Sequence, residues 1–83
     1  IITIGSGVTS IGGDAFASCT SVISITSLAT TAPTIQSTTF GTYYGSINTN
    51  GTLYVPSGST GYDVWMGTGD TYLGKLNWTK VEQ

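Results

Sequence analysis

Two phenylalanines, each five positions after an isoleucine, constrain this chain more than any other feature. The pair Ile11 and Phe16 recurs as Ile35 and Phe40. The same offset carries Ile4 onto Leu28 and Val8 onto Ala32. A period of ~20–50 residues is the signature of stacked windings. One winding that short cannot bury its own apolar side, so each needs a neighbour to shelter it. The first expectation is therefore a set of similar coils in which Phe16 lies over Phe40.

Local signals fill in the coils. Ile2 and Ile4 share one face at the strand period of two, within a β-branched run. Gly5-Ser6-Gly7 turns the chain, and Gly12-Gly13 forms a corner that needs positive φ or close backbone approach. Asp14 then reads as the N-cap of a short helical turn over residues 15–19, with Phe16 and Cys19 on one side of it. Val22 and Ile25 lead into the next strand, and Pro33 suits a corner where no amide hydrogen is required. Thr52-Leu53-Tyr54-Val55 reads as a further strand, with Leu53 and Val55 on one face and Tyr54 on the other. Asn50-Gly51 just before it is the strongest turn signal in the chain, which suggests a hairpin over residues 47–55. After Pro56 the pattern changes: Ser59 or Thr60 could cap a short helix through Tyr62, Val64, Trp65 and Met66, and residues 67–70 break it. The aromatic tail from Tyr72 to Val81 has the bulk to close the last coil. The chain also starts at Ile1 without Met, in what reads as mid-strand, and suggests a piece of something longer. The expected division is residues 1–56 as coils and residues 57–83 as a cap.

Charge narrows the function classes. Only 7% of residues are charged, against a usual ~25%, and the net charge of −2 rests on two lysines and four acids. Two lysines cannot neutralise a row of phosphates, so nucleic acid is not an expected partner. Threonine, serine and glycine occupy the place of the missing charges. The combination reads as ordered, β-rich and turn-rich.

Residues 8–25, with Val8, Ile11-Gly12, Ala15-Phe16, Cys19, Val22 and Ile25 at fixed spacing, resemble the repeat of the BspA-like leucine-rich repeat proteins. The segment 29–35, the stretch Gly51 to Pro56 and the aromatic tail are similar to the C-terminal ends of such proteins from Bacteroides-type bacteria. Gly5, Val22, Thr39 and Tyr43 depart from the pattern, where that family has proline, leucine, alanine and cysteine. The resemblance implies a mostly β chain with short helical turns: a right-handed leucine-rich-repeat solenoid fragment with a C-terminal cap. It also implies a secreted or cell-surface protein used in adhesion or protein interaction, with no enzymatic activity and no cofactor. Its partners would be a host or neighbouring-cell protein or glycan. Alternatives are a purely structural cap of a repeat array, or a carbohydrate-binding or fibre module.

Candidate sites are few. The chain has no histidine, which removes Ser-His-Asp, Cys-His and most metal constellations, and the glycine-rich loops lack the lysine of a phosphate loop. Cys19 reads as a small core hydrophobe. Asp63 and Asp70 lie near glycines without calcium-loop spacing, and Asn77-Trp78-Thr79 matches the short glycosylation pattern. Tyr43, Tyr44, Tyr54, Tyr62, Trp65, Tyr72 and Trp78 could form a sugar-stacking platform, but Trp65, Tyr72 and Trp78 are expected instead to pack the cap. Tyr54, on the strand face turned from the core, leads the candidate binding surface, with Thr26 and Thr3 from neighbouring strands. No membrane-spanning run is present, and self-association through an open N-terminal coil exposing Ile2, Ile4 and Val8 is a further expectation.

Overall fold

The computed structural model describes residues 2–42, 45–67, 69 and 71–83; Ile1, Tyr43, Tyr44, Thr68 and Asp70 lie outside the described residues. The elements in chain order are β1 (Ile2–Ile4), β2 (Ser24–Ser27), β3 (Gly41–Thr42), β4 (Gly45–Ser46), β5 (Thr52–Val55), α1 (Asp63–Met66) and β6 (Thr79–Glu82). Four strands form one sheet in the order β1, β2, β5, β6, all parallel, and β3 pairs with β4 in a small antiparallel sheet.

Alternation decides which face of the large sheet is buried. Ile4, Ile25, Ser27, Leu53 and Val55 point inward. Phe40, Ile47, Tyr62, Trp65, Leu73 and Trp78 pack beneath them as one core cluster. Each large side chain withdrawn from water in this way stabilises the fold by ~1.5–3 kcal/mol. The aromatics meet at defined angles: Phe16 stacks on Phe40 at 5.8 Å and 18°, and Trp65 lies edge-on to Tyr62 at 4.9 Å and 73°. Offset stacks and edge-to-face pairs are the arrangements the ring quadrupoles favour. The Trp65 indole N–H donates to the Pro33 carbonyl at 3.0 Å, and that of Trp78 to the Asn48 carbonyl at 2.6 Å.

The expected solenoid is not what this chain forms. Among the described residues no solenoid is detected; the molecule is a small compact unit with a Cα radius of gyration of 11.3 Å and extents of 33 × 22 × 22 Å. The radius matches the about 12 Å of a globular domain of this length. Register supplies the physical reason. Ile2 pairs with Ile25, Ser24 with Thr52 and Thr52 with Thr79, so the length of chain between paired strands changes at every step. Unequal spacing leaves no repeating winding. The connections differ as well: turns before β2, the β3–β4 hairpin before β5, and α1 before β6. The offset that carries Ile11 onto Ile35 holds only outside the sheet, where Ser10 bridges Thr34 and the Phe16 amide donates to the Thr39 carbonyl. Inside the sheet it is off by a single position, which reverses the face. Ile4 therefore pairs with Ser27, and Leu28 is 48% exposed while Ser27 is buried.

Other local expectations are corrected too. The antiparallel hairpin lies at residues 41–46, not 47–55, and β5 instead joins β2 in parallel. The tail expected to close the core contributes the fourth strand of the sheet, β6 alongside β5. Residues 13–19 make turns without a helix; the positive φ falls on Asp14 and Ser18, while Gly13 answers to close approach, since a Cβ there would sit 2.6 Å from the Thr38 hydroxyl. Neither Ser59 nor Thr60 caps α1, whose N-cap position is Tyr62 with no side-chain cap bond. Cys19 is half-buried against the core. The edge strand β1 is less bare than expected: Ile4 is buried and Ile2 and Val8 are half-buried.

Candidate binding face

The outer face of the four-stranded sheet assembles the predicted residues. Thr3 pairs with Thr26, Thr26 with Tyr54, and Tyr54 with Val81, so the three candidates stand side by side in one row across the sheet. Three separate strands supply them, and their alignment follows from parallel pairing in register, which puts like-facing side chains about 4.8 Å apart. A second row, Ser24, Thr52 and Thr79, runs beside the first at a spacing of roughly 6.6 Å along the strands. Leu28 and Pro56 follow at the C-terminal ends of their strands.

This face is unusual for a parallel sheet. Such sheets are normally covered on both sides and their strands read as continuous apolar runs. Here, among the described residues, only the inner side is covered. The strand Ser24-Ile25-Thr26-Ser27 and the strand Thr52-Leu53-Tyr54-Val55 alternate as half-buried, buried, half-buried, buried. The hydroxyls of Thr3, Ser24, Thr26, Thr52, Tyr54 and Thr79 make no hydrogen bond to protein among the described residues. They are open to water or to a ligand. No charged residue belongs to either row: Lys80 has the opposite parity and pairs with Asp63 at 2.9 Å. The face therefore offers hydroxyl donors and acceptors, methyl groups and one aromatic ring, with no ionic term.

The second row and Val81 escaped the sequence reading. Thr79-Lys80-Val81-Glu82 alternates, but it lies in the stretch expected to cap, and Ser24 and Thr52 precede more conspicuous residues. A search for small hydroxyl residues at every outward strand position finds them.

Elsewhere the structure separates the sequence candidates. Tyr62 is buried and joins no platform; its hydroxyl donates to the Ala29 carbonyl at 2.6 Å and accepts from the Ser27 hydroxyl at 2.6 Å. Trp65 and Trp78 are buried, as packing required, and Tyr72 is half-buried. Tyr43 and Tyr44 lie outside the described residues, as does Asp70, so the Asp63 and Asp70 pairing has no description; Asp63 is engaged with Lys80. Asn77 is exposed at a positive-φ position, its amide donating to the Asn50 side-chain oxygen. Among the described residues there is no group of three His, Cys, Asp or Glu side chains able to hold a metal, and no helix long and apolar enough to cross a membrane. No family model, no curated protein and no solved structure matches this chain, so its function has to be read from this geometry.

Proposed function

We propose that this chain is a non-catalytic adhesion module that binds an uncharged, polyhydroxylated surface, the glycan coat of a host or neighbouring cell, through the outer face of its sheet. The observation that carries the reading is the in-register row of Thr3, Thr26 and Tyr54 on a parallel-sheet face that none of the described residues covers. A sugar ring presents a C–H face and a hydroxyl rim. The Tyr54 ring suits the first, and the Thr26, Ser24 and Thr52 hydroxyls suit the second. A face without charge steers no ionic partner, so binding is expected to change little with salt. A shallow surface of this kind recognises by many modest contacts, which fits attachment through several copies better than tight single-site capture. Such a role belongs at a cell surface or outside the cell.

Immobilised chain exposed to an array of neutral glycans tests the reading. Binding that falls at least about tenfold in Tyr54→Ala, and persists at high salt, is the expected result. Absence of any glycan binding, or binding that Tyr54→Ala leaves unchanged, would sink it.

A further inference from the structure

The molecule has a second hydroxyl-lined surface, away from the two rows on the sheet face. Beyond the C-terminal ends of β1 and β2, the chain at residues 6–9 and the chain at residues 29–34 diverge around a cleft of about 380 Å³. Ligand pockets commonly span ~300–1,000 Å³, so this one has room for a single sugar ring and not for a long chain. Ser6, Thr9, Thr30, Thr31 and Thr34 line it, with Val8, Ala29 and Ala32 as its apolar part. None of these hydroxyls has a hydrogen-bond partner within the protein among the described residues.

The walls are fixed by backbone bonds. The Thr34 amide donates to the Thr9 carbonyl at 3.0 Å, and the Ile11 amide to the Thr34 carbonyl at 2.8 Å. On the far side the Ala32 amide donates to the Thr60 carbonyl, and the Thr60 amide to the Thr30 carbonyl, both at 2.9 Å. From inside, the Tyr62 hydroxyl holds the Ala29 carbonyl. Thr31 forms the bridge to Thr60, and in a parallel bridge the bonds come from the residues on either side of it. The amide and carbonyl of Thr31 itself therefore face away from Thr60, and no hydrogen bond within the described residues takes them up. The cleft thus presents a backbone donor, a backbone acceptor and a set of hydroxyls on walls already in place. A ligand entering it meets little ordering cost.

We infer that this cleft is a binding site for one neutral pyranose ring. Ionic ligands find no counter-charge there, since no ionisable side chain among the described residues lines it. A purely apolar ligand would bury the Thr31 peptide groups unsatisfied, which costs about as much as the contact gains. A pyranose satisfies both requirements: its hydroxyls meet Thr9, Thr31 and the Thr31 backbone, and its C–H face lies on Val8 and Ala32. The site shares its ligand class with the adhesion reading but uses different residues, so either can fail alone.

The test is a titration of isotope-labelled chain, followed by amide NMR shifts, with the methyl pyranosides of glucose, galactose, mannose, fucose and N-acetylglucosamine. Saturable shifts at Thr9, Thr31 and Ala32 with at least one of these, weakened about tenfold in the Thr9→Val/Thr31→Val double variant and unchanged in Tyr54→Ala, are the expected result. Both threonines are exposed, and valine keeps their shape, so the variant's own spectrum reports that the fold is intact. Oligosaccharides ending in the same sugar separate the two sources: tighter binding of these assigns a glycan end, equal binding a free monosaccharide, and either supports the site. No saturable shift with any pyranoside overturns it. So do shifts centred on Tyr54 and abolished by Tyr54→Ala, which would assign the sugar to the sheet face instead.

Discussion

The two faces of the large sheet use the same chemical group for opposite ends. On the inner side, the hydroxyls are few, buried and completely engaged. Tyr62 gives its proton to Ala29, so Ser27 must donate to Tyr62, and Thr39 accepts from the Gln36 amide at 2.8 Å while donating to the Gly12 carbonyl at 3.1 Å. Among the described residues no buried side-chain nitrogen or oxygen lacks a partner. On the outer side, the hydroxyls of Thr3, Thr26, Tyr54 and the row beside them have no partner in the protein among the described residues. A buried hydroxyl that lost its partner would cost the fold its desolvation energy, whereas an outer hydroxyl is already satisfied by water. The inner set therefore specifies structure, and the outer set is free to serve recognition.

The largest expected contrast is between two aromatics on opposite sides of that divide. Trp65→Ala empties the centre of the core and frees the Pro33 carbonyl, and should cost about 3–5 kcal/mol, enough to unfold a domain this small. Tyr54→Ala, on a half-exposed strand position, should cost only about 1 kcal/mol. Urea denaturation followed by circular dichroism measures both, and equal losses would break the distinction between the faces.

A finer version removes only an oxygen. Tyr62→Phe strands the Ser27 hydroxyl and the Ala29 carbonyl and should destabilise by about 1–3 kcal/mol, while Tyr54→Phe should stay within about 0.5 kcal/mol of the parent. Thermal unfolding of the two variants side by side is the measurement; a Tyr62→Phe variant as stable as the parent would show that the inner hydroxyls are not the constraint described here. Gly51→Ala probes the same interior from the backbone. A Cβ there would collide with the Trp78 ring, so a loss of about 1–3 kcal/mol is expected in chemical denaturation, although Gly51 has no positive φ to explain the glycine. The smallest effect belongs to the surface: Lys80→Met breaks the pair with Asp63, whose side chain is 92% exposed, and should change stability by less than about 1 kcal/mol. A larger loss would mean that β6 depends on this pair rather than on its ladder with β5.

Much of the candidate face was legible before any coordinates. Leu53 and Val55 against Tyr54 is a simple alternation, and it turns Tyr54 outward because both neighbours are strongly apolar. Thr26 and Thr3 follow from the same rule. Their meeting in one row does not, because register between strands distant in the chain is set by the connections and not by the strands. The solenoid expectation failed at that point. The offset between Ile11 and Ile35 is real in the turns, where Phe16 stacks on Phe40, but it reads Leu28 as the counterpart of Ile4, and the sheet chose Ser27. Ser27 is tolerated there because Tyr62, far along the chain, accepts its proton. Nothing adjacent in the chain announces that bond. The tail shows the same limit: its aromatic bulk was visible, but the pairing of Thr79–Glu82 with β5, and the Trp78 ring lying against Gly51 just before that strand, join residues remote in the chain.

The order of residues by itself settled that this chain is β-rich, nearly uncharged and built around Phe16, Phe40 and a cluster of late aromatics, because composition and two-residue alternation act within a single strand. Which hydroxyls are buried and which face water, and that the spacing between paired strands is too uneven for a repeating winding, was decided only in three dimensions. Those outcomes depend on contacts between residues remote in the chain, where a slip of one position turns a side chain from the interior to the solvent.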